Sequence, residues 1–215
     1  MAENFLKQIE TSHSVCYNDI YLQNSIISVL TKQNKERSLM HMKKIEEYVR
    51  SIPDFPEEGI IFRDVTSVLQ DADGLHLAIS SMEDKIRDWD FDVVVGPESR
   101  GFIFGVPIAY NLHKPFVPVR KKGKLPCETV SVEYELEYGS AVLEMHKDAI
   151  KPGQKVVIID DLMATGGTIE AIVKLIRELG GEVTGSVFLM ELKGLKGRDK
   201  LKDIRVESVI AYDGK

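Results

Sequence analysis

Cysteine, excess positive charge and long apolar runs are all scarce in this sequence of 215 residues. Only Cys16 and Cys127 occur, too few for a disulfide framework or a cysteine-based zinc site, so a reducing cytoplasm is the expected setting. No apolar run approaches the roughly 20 residues that span a bilayer. The first residues lack the apolar core of a signal peptide, and no membrane partner is expected. The formal net charge is -6, which argues against a dedicated nucleic-acid binder while permitting local basic clusters. Repeats and low-complexity tracts are missing too. The expectation is one soluble globular domain with a sizeable core, carrying an appendage.

That appendage is the least informative part. Ile20, Leu22, Ile26, Ile27, Val29 and Leu30 fit one amphipathic helix among Asn, Gln and Ser. Four positive and four negative side chains balance between Met1 and Arg37, whereas a DNA-binding arm is strongly basic. Residues 1–37 are expected to form an extension, helical or poorly ordered, outside a domain at 38–215.

From Ser38, the spacing of Leu39, Met42, Ile45 and Val49 predicts a helix ended by Pro53 and Pro56. Gly59 to Asp64 reads as a short exposed strand or loop, and Leu75, Ile79, Met82 and Ile86 mark a second helix. Buried strands are predicted at Asp92–Gly96, Pro115–Val119, Val156–Ile159, Val183–Met190 and Val206–Tyr212. Helical patterns alternate with them, which predicts an α/β fold with a mainly parallel sheet and helices on both faces. Between Cys127 and Met145 the period is two instead: Val130, Val132, Tyr134 and Leu136, then Val142, with Leu143 a further candidate. An antiparallel hairpin turning at Tyr138 to Ser140 follows.

The chemistry concentrates after Ile159. Asp160 and Asp161 stand at the carboxyl end of a strand, where open α/β sheets bind ligands. Thr165, Gly166, Gly167 and Thr168 then turn into an amphipathic helix, directing amides and hydroxyls at a phosphate. The carboxylates can accept hydrogen bonds from vicinal hydroxyls, or hold a divalent cation through water. No Gly-Lys-Ser/Thr follows, so this is not a P-loop. Glu98, Ser99, Arg100 and Gly101 also follow a buried strand, and Arg100 can pair bidentately with a pyrophosphate. Arg120, Lys121 and Lys124 cluster past the next strand; taken alone, such a run reads as a solvated basic turn.

At Asp160 to Thr168 the chain resembles the type I phosphoribosyltransferases, and with its other motifs their adenine-specific branch. The resemblance runs from about Lys43 to Leu201. It implies a twisted parallel sheet with a small hood and a flexible β-hairpin lid, and transfer of the 5-phosphoribosyl group from 5-phospho-α-D-ribose 1-diphosphate to adenine, giving AMP and diphosphate. Ala164, Thr165, Gly166, Gly167 and Thr168 would hold the 5-phosphate, with Asp160 and Asp161 at the ribose hydroxyls. Glu98, Ser99, Arg100, Arg120, Lys121, Lys124 and Tyr138 would serve the diphosphate, with a cis peptide between Glu98 and Ser99. Phe62 and Leu192 would sandwich the base, and the backbone of Ile61 and Arg63 would read its edge. The 6-oxopurine enzymes carry an aspartate where this chain has Ala164, so the acid/base role falls to Glu137. Without the resemblance, Glu137 reads as a solvated strand glutamate like Glu133 and Glu135. Catalytic duty is thus expected of Glu137 and Arg100. Magnesium is the implied cofactor, held mainly by the substrate, with Asp160 and Asp161 reaching it through water. A homodimer without nucleic-acid partners is implied.

Overall fold

The apolar run at 156–159 forms the middle of the sheet, with core on both sides of it. Val157 and Ile159 enter one hydrophobic cluster, Val156 and Ile158 the other. Successive strand side chains point to opposite faces, so an unbroken β-branched run signals a strand covered twice. The computed structural model describes residues 43–135 and 139–214. The expected extension at 1–37, its boundary at Ser38, and Leu136, Glu137 and Tyr138 lie outside the described residues.

Residues from Ile45 onward form one unit. A small antiparallel pair comes first, β1 (Arg50–Pro53) with β2 (Ile61–Asp64). Helices α1 (Thr66–Leu69) and α2 (Ala72–Ile86) lead to β3 (Val93–Pro97), α3 (Arg100–Asn111) and β4 (Phe116–Lys121). The hairpin β5 (Thr129–Glu135) and β6 (Ser140–His146) follows, then β7 (Lys155–Met163), α4 (Gly167–Glu178), β8 (Glu182–Leu192) and β9 (Arg205–Tyr212). The large sheet runs β5-β6-β4-β3-β7-β8-β9. From β4 to β9 its neighbours are parallel, while the hairpin joins antiparallel at the β4 edge. The mainly parallel sheet and the small leading pair match the expected architecture. No helix among the described residues is long and apolar enough to cross a membrane.

One local expectation is corrected. The helix predicted from Ser38 does not extend over its described part. Ile45–Glu47 is a single 3-10 turn, and β1 starts at Arg50. Ile45 and Val49 are buried as their spacing demanded, but a four-residue interval suits a turn entering a strand as well as a helix. Pairing of Arg50 with Asp64 and Pro53 with Ile61 then decides for strand. On β6, Leu143, Glu144 and Met145 are buried and Val142 is partly covered, so of the two apolar positions expected there Leu143 faces the core. Val130 and Val132 stand opposite Met145 and Leu143, and directly paired residues share a face.

Candidate active site

Strands β3, β4, β7 and β8 run parallel, so their carboxyl ends meet along one edge of the sheet. Most of the predicted site residues gather there. β7 runs through to Met163, which places Asp160 and Asp161 inside the strand and on opposite faces. Asp161 is 4% exposed and pairs with Arg100 at the start of α3, the Nε to Oδ2 distance being 2.8 Å. Asp160 instead lines a pocket of about 70 Å³ shared with Ala164, Thr165, Gly166, Gly167 and Thr168. Its Oδ1 accepts the Asp161 N–H at 2.9 Å. Burial pushes the Asp160 carboxyl well above the usual aspartate range, and the neighbouring Asp161 charge adds to this. Burial also raises Asp161, against the opposing pull of the Arg100 guanidinium. The acidic pair is thus divided, one carboxylate engaged by a cation and one at the pocket.

The turn after β7 is built for close approach. Gly166 has φ +78, a left-handed conformation that side chains disfavour, and a Cβ there would lie 2.5 Å from the Gly197 carbonyl oxygen. Helix α4 begins at the next residue, and no side chain caps it. The first amides of a helix have no intrahelical acceptor, so the uncapped start of this twelve-residue helix leaves amides free to receive an anion.

Arg100, Ser99 and Glu98 occupy the neighbouring turn, where the peptide between Glu98 and Ser99 is cis. Glu98 accepts from Arg120 Nε at 2.9 Å and from the Lys121 amide at 3.1 Å, and both donors hold its carboxyl below the usual range. A carboxylate so occupied orients the end of β4 and the Arg120 guanidinium. The Lys121 and Lys124 side chains are exposed. The loop between them is tied by Glu144, which accepts the amides of Lys124 and Leu125 at 2.9 Å each. Burial works against ionisation of Glu144, but these amides outweigh it and keep the carboxyl low. The sequence reading missed Glu144; the only signal was a glutamate between the apolar Leu143 and Met145.

On the other side, β2 presents Ile61, Phe62 and Arg63. Phe62 is partly buried, edge-on to Phe55 at 5.3 Å, while Ile61 is 44% exposed. The Arg63 guanidinium lies 4.1 Å from the centroid of the Tyr212 ring, and Tyr212 pairs in register with Leu192 at the end of β8. Tyr212, also missed, therefore links the leading strand pair to the candidate base residue Leu192. The hairpin reaches the glycine turn at the start of α4. The Glu135 carbonyl oxygen and the Tyr134 ring lie 3.6 and 3.8 Å from where a Gly167 Cβ would stand. Glu137 and Tyr138, the expected acid/base and diphosphate residues of this hairpin, lie outside the described residues.

Residues 65–213 match the phosphoribosyl transferase domain family. An adenine phosphoribosyltransferase from Lachnoclostridium phytofermentans is 75% identical over 174 residues, which is 81% of this chain and 100% of that relative. The chain belongs to the adenine phosphoribosyltransferase family. Among solved structures of this family, that from Thermoanaerobacter pseudethanolicus is 52% identical with a TM-score of 0.75, covering 78% of this chain and 98% of its own. The Saccharomyces cerevisiae adenine phosphoribosyltransferase, solved with adenine and an imino-altritol bisphosphate, is 39% identical with a TM-score of 0.72. It covers 77% of this chain and 96% of its own.

Proposed function

We propose that this protein transfers the 5-phosphoribosyl group from 5-phospho-α-D-ribose 1-diphosphate to adenine, releasing AMP and diphosphate, as in purine salvage. One observation carries the reading. The uncapped start of α4 shares a sheet edge with Arg100 and Arg120, so an anion cradle and a cationic rim serve a ligand with phosphate at two ends.

In this reading Ala164 to Thr168 hold the 5-phosphate through backbone amides, and Asp160 and Asp161 take the ribose hydroxyls. Arg100 then exchanges Asp161 for the diphosphate, joined by Arg120, Lys121, Lys124 and Tyr138. Ser99 supports this turn, and Glu98 orients Arg120. Adenine lies between Phe62 and Leu192, with backbone groups of Ile61 and Arg63 reading its exocyclic amine. That hydrogen bonding discriminates against 6-oxo bases, which present an acceptor at the same place. Breaking the bond from the anomeric carbon to diphosphate builds positive charge on the sugar. The residues must orient both ends, stabilise the leaving group and keep water out. Ala164 cannot move a proton, so the exchange at N7 of the base falls to Glu137.

Among the described residues no cluster of three or more His, Cys, Asp or Glu could hold a metal directly. The donor set, Asp160 at the pocket with Asp161 beside it, suits an ion that arrives on the substrate. Magnesium would be held there through water and would neutralise diphosphate charge.

We place the catalytic domain at 38–215, with 1–37 as an extension, and the protein in the cytoplasm as a homodimer. Supporting the dimer, α3 exposes Ile103, Val106 and Tyr110 at helical spacing, Tyr110 being 84% exposed. Given adenine, phosphoribosyl diphosphate and magnesium, the protein should release AMP and diphosphate in equal amounts. Glu137→Leu should bind phosphoribosyl diphosphate yet lose turnover by about 10²–10⁴-fold. Near-normal turnover would remove Glu137 from the mechanism.

A further inference from the structure

Glu191 and Arg198 have no place in the roles above, yet they form a buried-carboxylate pair at the same sheet edge. Glu191 is 4% exposed near the end of β8, opposite Met163 of β7 and Ala211 of β9. Arg198 reaches it from the 3-10 turn Gly197–Lys200 in a two-pronged pair, Nε to Oε1 and Nη2 to Oε2, each 2.7 Å. Arg198 Nη1 also donates to the Val206 carbonyl at 2.8 Å, and Ser208 Oγ donates to Glu191 Oε2 at 2.8 Å. The Arg198 hydrogen bonds, then that of Ser208, keep the Glu191 carboxyl below its usual range in spite of burial.

The other side of this turn touches the phosphate loop. A Cβ on Gly197 would collide with the Ala164 carbonyl oxygen, and would lie 2.8 Å from Met163 Sδ and 3.0 Å from the Gly166 nitrogen. Loop and turn thus meet backbone to backbone at Ala164 and Gly166, with the buried Met163 side chain packed against the same seat. A forked guanidinium–carboxylate pair fixes angle as well as distance, and loss of one partner leaves a buried charge uncompensated.

We infer that the Glu191–Arg198 pair is a positioning brace: it fixes Gly197 as the seat of residues 164–166, and so sets the amides that hold the sugar 5-phosphate. This rests on the reading that the loop binds that phosphate. The brace acts on one end of the substrate only, because the diphosphate residues Glu98 to Arg100, Arg120, Lys121 and Lys124 belong to β3, β4 and the turns after them, and Tyr138 to the hairpin.

The test uses the full chain, with titrations of ribose 5-phosphate and of magnesium diphosphate, and steady-state kinetics. Gly197→Ala, which keeps the ion pair, and Arg198→Met, which removes it, should each weaken ribose 5-phosphate binding by about tenfold or more. The KM for phosphoribosyl diphosphate should rise in parallel, with diphosphate affinity unchanged and kcat at saturation nearly so. Glu191→Gln, which keeps one oxygen to accept from Arg198 and Ser208 but sets its NH2 against the other Arg198 N–H, should lose affinity by less than Arg198→Met. Equal losses for ribose 5-phosphate and diphosphate would overturn the brace, as would unchanged ribose 5-phosphate binding in Gly197→Ala. That last variant decides alone if Arg198→Met does not fold. Wild-type protein that binds no ribose 5-phosphate would overturn the reading of the loop, and the brace with it.

Discussion

Asp160 carries a free-energy cost that the Asp161 amide and the Arg100 charge relieve only in part. Its carboxyl lines the pocket beside the glycine turn with a raised pKa, while Arg100 is committed to Asp161. A group whose folded pKa is raised stabilises the fold most at low pH, and that contribution is lost as pH rises towards the folded value. Asp160→Asn keeps the oxygen that accepts the Asp161 amide but cannot ionise. The unliganded variant should therefore melt at a higher temperature than wild type, with a gain that grows as pH rises from about 4. Binding of phosphoribosyl diphosphate should weaken in the same variant, a trade of function for stability. A lower melting temperature at pH 8 would show that ionised Asp160 is well accommodated in the free protein.

The hairpin and the basic loop form one mechanical element, joined by Glu144. Removing that carboxylate orphans the amides of Lys124 and Leu125, which then depend on water. Glu144→Ala should raise the KM for phosphoribosyl diphosphate by about tenfold, since Lys124 loses its fixed backbone, while Glu144→Gln should lose much less. Steady-state kinetics on both variants measure this, and equal behaviour of the two would show that the hydrogen bonds do not matter. Such ties explain what the sequence concealed. The apolar run before Asp160, the glycine turn and the amphipathic α4 were legible because hydrophobic period and glycine chemistry are local. The partnerships of Glu144 with the 124–125 amides, Arg198 with Glu191, and Arg63 with Tyr212 cross between elements and leave no periodic trace. Ile45 and Val49 misled for the opposite reason, since their local spacing fitted a helix until β2 supplied a pairing partner.

For the whole molecule, charge and surface make further demands. Glu98, Glu144 and Glu191 all hold their protons less tightly than free glutamate. Groups with depressed folded pKa stabilise the fold above the unfolded value of about 4.3, and this is lost as pH falls through their folded values. Thermal unfolding followed from pH 6 downwards should show stability falling below about pH 4.3, and more shallowly in Glu191→Gln. On the outside, the Ile103, Val106 and Tyr110 stripe should be covered by a second copy. Val106→Glu with Tyr110→Glu should halve the mass found by sedimentation, whereas an unchanged mass would place any dimer contact elsewhere.

The central claim concerns which base receives the phosphoribosyl group. Adenine, guanine, hypoxanthine and xanthine offered together at equal concentration, with phosphoribosyl diphosphate and magnesium, put it to one assay of the nucleotides formed. AMP should account for essentially all product; accumulation of GMP, IMP or XMP in place of AMP would contradict the account.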